Sequence, residues 1–162
     1  MENPIPDIAV SYTCTTDSSF SPCQIKIGSG QPWFVSTTFH NAGETPLTNW
    51  SYDIDLVEVQ TGARTPIVTQ ASGDSLPLDQ DLTVHWPGPV VFGEQQIGGS
   101  WRIEVHASIK DPLHPEPPER QLNNQSAWNF RVLNRVSDIV VQYKCVTDSD
   151  VLRVHRTGIP RR

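Results

Sequence analysis

The chain has 162 residues, of which 36% are hydrophobic and 19% are charged, and it contains 14 prolines and 10 glycines. This length and composition fit one globular domain that is rich in turns. The formal net charge of -6 disfavours a nucleic-acid partner, because nucleic-acid readers carry a basic stripe, and no stretch reaches the roughly 18 consecutive apolar residues of a membrane span.

Apolar and polar residues alternate in several short segments, which predicts β-strands because successive side chains of a strand point to opposite faces. The apolar sets, in chain order, are Ile8, Val10, Tyr12 and Cys14; Trp33, Val35, Thr37 and Phe39; Tyr52, Ile54 and Leu56; Leu82, Val84 and Trp86; Trp101, Ile103, Val105, Ala107 and Ile109; and Trp128, Phe130 and Val132.

Turn-forming residues separate these segments, at residues 41–46, 61–62, 87–89 and 98–99. Residues 111–124 include four prolines and predict an irregular loop. No segment keeps a helical period. About seven strands at this spacing predict an all-β, immunoglobulin-like antiparallel sandwich.

The opening segment recurs near the C-terminus. Residues 7–18 and 138–149 are identical at eight of the twelve aligned positions, which are, in the first copy, Asp7, Ile8, Val10, Tyr12, Cys14, Thr16, Asp17 and Ser18. A repeat of this length marks a domain unit. We therefore expect a sandwich over residues 1–134 and a C-terminal extension, residues 135–162, that repeats the opening strand region.

The extension is too short to bury a core of its own. The chain is cut from a longer array, or the extension hangs loose, or it adds a strand to a sheet edge of its own domain or of a neighbour. We prefer docking, because Ile139, Val141 and Tyr143 form an apolar face that needs burial.

The three cysteines have no metal-site spacing. Cys14 and Cys23 are close enough in sequence to form a disulfide across a short loop, and Cys145 is then unpaired or joined to another chain. The sequence does not show whether they are oxidised.

The residues that could carry out catalysis or bind a metal favour a structural role. Asp53 and Asp55 share a strand face, and the histidines show no nucleophile–base arrangement. Calcium is the one metal with candidate ligands, because carboxylates lie in loops; the candidates are Asp17, Asp111 and Glu119. No cofactor is expected otherwise.

Trp50 follows a polar turn and has two interpretations. It is an exposed contact anchor, or it is a core residue at the start of a strand. Trp50 is therefore an interaction candidate, as is the apolar face of the extension.

The first unit resembles the CARDB family, the cell-adhesion-related domains of bacteria, over roughly residues 6–133. The similar segments are residues 6–10, which look like the opening strand; 39–43, like an N-x-G turn; 75–84, like a strand start where Asp79 or Gln80 replaces the usual glycine; 101–105; and 110–124, with Lys110, Asp111, Glu119, Asn123 and Asn124. The resemblance implies a seven-stranded sandwich, repeated in tandem, with adhesion or spacer roles and without catalytic residues.

We therefore expect a non-catalytic structural or interaction module that is displayed on or links a larger assembly, such as a virion decoration. Its partners are proteins or copies of itself, met through sheet edges and the extension. The alternatives are a fragment of a secreted bacterial adhesin or repeat array, and a carbohydrate-binding accessory module. The N-terminal residues do not resemble a signal peptide. Localisation stays open, with a virion or another extracellular surface favoured.

Overall fold

A computed structural model describes residues 4–135 of the chain. Two short 3₁₀ turns, Glu94–Gln96 and Gln121–Asn123, are the helical elements in this range. None of its helices has the length and apolarity that crossing a membrane requires. The strands are β1 (Ile8–Thr16), β2 (Lys26–Gly28), β3 (Phe34–Asn41), β4 (Trp50–Glu58), β5 (Arg64–Ser72), β6 (Asp81–Pro87), β7 (Ser100–Ile109) and β8 (Gln125–Leu133).

The strands form two facing sheets. Sheet A has the order β1-β3-β6, and sheet B has the order β2-β8-β7-β4-β5. All pairings are antiparallel except that of β2 with β8. The predicted all-β sandwich is confirmed, with eight strands in the described range where the sequence predicted about seven.

The core lies between the sheets and contains most of the predicted apolar sets. Sheet A contributes Val35 and Phe39, and sheet B contributes Ile54, Ile103 and Val132, none more than 1% exposed. The alternation of β3, β4, β7 and β8 thus predicted the inward faces correctly. Hydrophobic burial of this kind is the main favourable term in folding.

The face of β1 differs from the prediction, which placed Tyr12 and Cys14 with Ile8 and Val10. A register shift between Val10 and Tyr12 interrupts the pairing with β3. One extra residue moves every later side chain to the opposite face of a strand. Tyr12 is therefore 46% exposed.

Two glycines make room for tryptophan rings. A Cβ atom on Gly73 would lie 1.9 Å from a ring carbon of Trp50, and one on Gly88 would lie 2.1 Å from the ring of Trp33. Real Cβ atoms do not approach so closely, so these turns need glycine for close packing and not only for chain reversal.

Candidate contact surfaces

The loop between β7 and β8 holds the start of β1 with buried polar side chains. Asp7 accepts hydrogen bonds from Arg120 at 3.1 Å and from the Asn123 amide at 2.8 Å. The backbone N–H of Ile8 donates to Oε1 of Glu116 at 3.0 Å. Both carboxylates are less than 10% exposed, and buried charges persist only when they are paired or hydrogen-bonded.

Asn124 completes this group by donating its amide to Oε2 of Glu116. Burial raises the pKa of Glu116, the hydrogen bonds from Asn124 and Ile8 oppose the rise, and the nearby Asp7 adds to it. We call the group the polar clamp, and its members are Asp7, Glu116, Arg120, Asn123 and Asn124.

The polar clamp shows which acid of this loop is buried. The amide of Asn123 binds Asp7, and the amide of Asn124 binds Glu116. Asp111 and Glu119 were the acids singled out in the loop from the sequence, whereas the buried acid is Glu116. Charged residues inside a proline-rich loop were the one signal that could have located it.

The loop between β1 and β2 lies against the outer face of sheet A. The Cα atoms of Cys14 and Cys23 are 5.8 Å apart with their sulfurs at bonding distance, and their oxidation to a disulfide stays a prediction. The ring of Phe20 stacks on His85 with ring centroids 4.1 Å apart and meets Phe34 edge-on at 5.1 Å. This loop thereby covers part of the outer face.

We predict that removing the disulfide with Cys23→Ser lowers the free energy of unfolding by about 2.5 kcal/mol, because the bridge closes a ten-residue loop in the unfolded chain. Urea titrations of the oxidised wild type and the variant measure the difference. Peptide mapping without reductant checks the pairing itself. Free thiols at Cys14 and Cys23 in the purified protein would contradict this prediction.

Strand β6 forms one edge of sheet A, and its inward side chains are incompletely covered. Leu82, Val84 and Trp86 pack against the core but are only partly buried. Within residues 4–135, β3 is the one strand that pairs with β6. This edge and its apolar side chains form a candidate surface for strand addition.

The interpretation of Trp50 as an exposed contact anchor is wrong. Its side chain is 2% exposed, its indole N–H donates to the backbone oxygen of Asp74 at 2.9 Å, and its ring packs beside Phe39 and Tyr52. The inward alternation of β4 begins at this residue, so Trp50 is the first core residue of the strand.

The calcium candidates are separated in the fold. Asp17 follows the end of β1 and binds Ser19 and Gln24, whereas Asp111 follows β7 and binds Leu113 and His114. Among the described residues, no three histidine, cysteine or acidic side chains are placed to hold one metal ion. The hydrogen bonds of Asp17 and Asp111 are those of local turns.

The outward acids of sheet B form local pairs. Asp53 accepts hydrogen bonds from the backbone and side chain of Gln70, and Asp55 pairs with Arg64 at 3.3 Å. Arg64 also binds Glu104 at 2.5 Å. Each carboxylate therefore has a partner, with Arg64 shared between Asp55 and Glu104. Surface ion pairs of this kind contribute little to stability.

Three further interaction candidates, Ile139, Val141 and Tyr143, lie outside the described residues, as do Cys145 and the whole extension from residue 136. The proposed docking of the extension thus stays a prediction.

Comparison with known proteins places the fold. No family model matches the sequence, and no curated protein is significantly similar to it. The CARDB domain of the PF1109 protein from Pyrococcus furiosus, solved as a crystal structure in complex with di-metal ions, is 13% identical, with a TM-score of 0.52 over 83% of this chain and 99% of that one. Its solution structure is 14% identical, with a TM-score of 0.52 over 82% of this chain and 98% of that one.

A weaker likeness is to the alkylpurine DNA glycosylase AlkC of Pseudomonas fluorescens. It is 14% identical, with a TM-score of 0.47 over 78% of this chain and 30% of that protein. Identities of this size are informative about the fold alone. Together with the two facing antiparallel sheets, the likeness to the P. furiosus domain shows that this chain has a CARDB-like fold.

Proposed function

We propose that this chain is a non-catalytic protein-contact module that joins copies of itself through its C-terminal extension. The observation that carries the proposal is that the extension repeats an opening strand whose place in the domain is already filled. β1 pairs with β3 along its length, the polar clamp holds its start, and Cys14 lies at bonding distance from Cys23 near its end. The second copy of this sequence is therefore surplus to the domain.

The repeat differs from β1 where β1 is buried. Thr13 is 4% exposed and shares a hydrogen bond of 2.8 Å with Thr37, and the aligned residue of the extension is Lys144. Placing Lys144 at that position would bury an unpaired charge, which is costly. This difference favours addition of the extension to a surface over its replacing β1 in a second copy.

Side chains that could have carried chemistry have structural partners instead, which supports a contact role. The buried acids Asp7 and Glu116 accept hydrogen bonds from other residues of the domain, and the ring of His85 stacks on the ring of Phe20. The carbohydrate-binding alternative depended on an exposed Trp50, so the burial of that residue removes its support. The two remaining settings, a virion decoration and a secreted adhesin or repeat array, both use the module for protein contact.

Light scattering of the full chain tests the proposal. We expect a mass above the 18.1 kDa of one chain that rises with concentration. Val141→Asp puts a charge on the apolar face of the extension and should return the mass to that of one chain. A wild-type protein that stays at one chain's mass at every concentration would refute self-association.

The matched control is Leu122→Asp, which makes the same kind of change on a side chain that is 78% exposed in the loop before β8. It should associate like the wild type. If both variants lose association equally, the added negative charge, and not the face of the extension, is responsible.

A further inference from the structure

The acceptor for the extension can be identified by comparing the free strand edges. β1 is engaged on its free side at both ends, where Ile8 donates to Glu116 and the oxygen of Thr15 accepts from Gln24. β2 has three residues. β5 contains Pro66, which lacks an N–H group, and its pairing with β4 has two register shifts. These edges are short, occupied or irregular.

β6 is regular along seven residues. Gly88 donates to Trp33, and Asn41 donates to Gln80, so even-numbered residues of this segment pair with β3. In an antiparallel ladder the backbone groups of alternate residues point to opposite sides. The N–H and C=O groups of Thr83 and His85 therefore face the free side of sheet A.

The extension matches this edge in one antiparallel register. Placing Ile139 opposite Trp86 sets Val141 opposite Val84 and Tyr143 opposite Leu82, so the apolar residues of both strands share the inward face. The same register sets Lys144 opposite Asp81, a pair of opposite charges. Residues 138–149 contain no proline, so every residue retains its backbone donor.

We propose that residues 139–144 of one copy add to β6 of a second copy in this register, extending sheet A to four strands. This inference rests on the proposed function and names its acceptor surface. The added strand supplies hydrogen-bond partners for Thr83 and His85 and covers the partly buried side chains of β6.

We assign the added strand to a second copy, because the residues that follow β8 barely reach the β6 edge of their own domain. β8 ends on the far side of the sandwich, beneath β1, and six residues span at most about 20 Å from Leu133 to Ile139. The free side of β6 is one sheet spacing and about three strand spacings away, a straight line of about 18 Å. Within one chain the six residues would have to be almost fully extended, whereas a second copy approaches the edge without this constraint.

A charge exchange in the full chain tests the register. Asp81→Lys and Lys144→Asp should each weaken association about fivefold by light scattering, because each places like charges opposite one another, and the double variant should restore it. Thermal melts confirm that each variant stays folded, since Asp81 also binds His40 at 2.8 Å. Single variants that associate like the wild type, or a double variant without recovery, would overturn the register.

A second variant tests the edge independently of charge. Thr83→Pro removes a donor that faces the free side and keeps the backbone pairing with β3, although it loses the hydroxyl bond between Thr83 and Thr38. It should abolish association without unfolding the domain, which a thermal melt checks. If Val141→Asp abolishes association but Thr83→Pro does not, the extension makes the contact and its acceptor is another surface. That result overturns this inference and leaves the proposed function standing.

Discussion

Replacing Trp50 with alanine is expected to lower the free energy of unfolding by about 3–5 kcal/mol, the range for removing a large aromatic side chain from a core. The ring lies between the sheets, 5.0 Å from Phe39 and 5.7 Å from Tyr52. The variant leaves a cavity and also leaves the backbone oxygen of Asp74 without its indole donor. Urea unfolding followed by circular dichroism measures the change.

Leu113→Ala is the control, because that side chain is 80% exposed. It should change the free energy of unfolding by less than about 0.5 kcal/mol, as surface substitutions do. A contact anchor on the surface would behave like Leu113. A small effect of Trp50→Ala would therefore contradict the position of this residue in the core.

Glu116→Ala is expected to cost about 3 kcal/mol at neutral pH. It removes the acceptor for the N–H of Ile8 and for the amide of Asn124, which are both buried, and unsatisfied buried donors cost about 1–3 kcal/mol each. Glu116→Gln keeps an oxygen for Ile8 and a similar shape, so it should lose much less. Urea titrations of both variants beside the wild type provide the comparison.

The protonation of Glu116 makes the free energy of unfolding depend on pH. The pKa of Glu116 is raised by burial in the folded protein, so the folded state binds this proton more tightly than the unfolded chain. Its contribution to stability is complete below the ordinary pKa of 4.5 and is lost as pH rises through the folded-state pKa. The side chain in Glu116→Gln cannot titrate, so the free energy of unfolding of this variant should not show this loss as pH rises.

Measuring the free energy of unfolding from pH 4 to pH 8 for the wild type and Glu116→Gln tests this sign. As pH rises, the free energy of unfolding of Glu116→Gln should increase relative to that of the wild type. Parallel curves would show that the carboxyl of Glu116 keeps its ordinary pKa. Asp111 has a lowered pKa through its bonds to Leu113 and His114, so its contribution to stability is lost as pH falls. This contribution is the same in both proteins and cancels in the comparison.

The inward faces of β3, β4 and β7 were predictable because each strand keeps strict alternation and one face is buried. The inward face of β1 was not predictable, because its register shift falls at the polar residue Ser11, between Val10 and Tyr12, and leaves no mark in the pattern. Tyr12 and Cys14 look like core residues by period alone. A shift of one residue in pairing depends on the partner strand, which local sequence does not specify.

The contact surfaces were likewise predictable from the sequence only in part. The surplus opening strand is visible in the sequence, because residues 138–149 repeat residues 7–18. The free side of β6 is not, because an edge is defined by which strand lies beside it. The polar clamp joins residues more than 100 positions apart, so no local pattern could pair Asp7 with Arg120 or Ile8 with Glu116.

The sequence by itself determined the all-β sandwich, most of its inward faces and the existence of a second opening segment, since alternation and repetition are local properties. Tertiary structure alone decided that Trp50 is buried, that Glu116 secures β1 and that, within residues 4–135, β6 pairs with another strand on one side only. Those features arise from contacts between distant segments, where burial and pairing depend on the neighbours that the fold supplies.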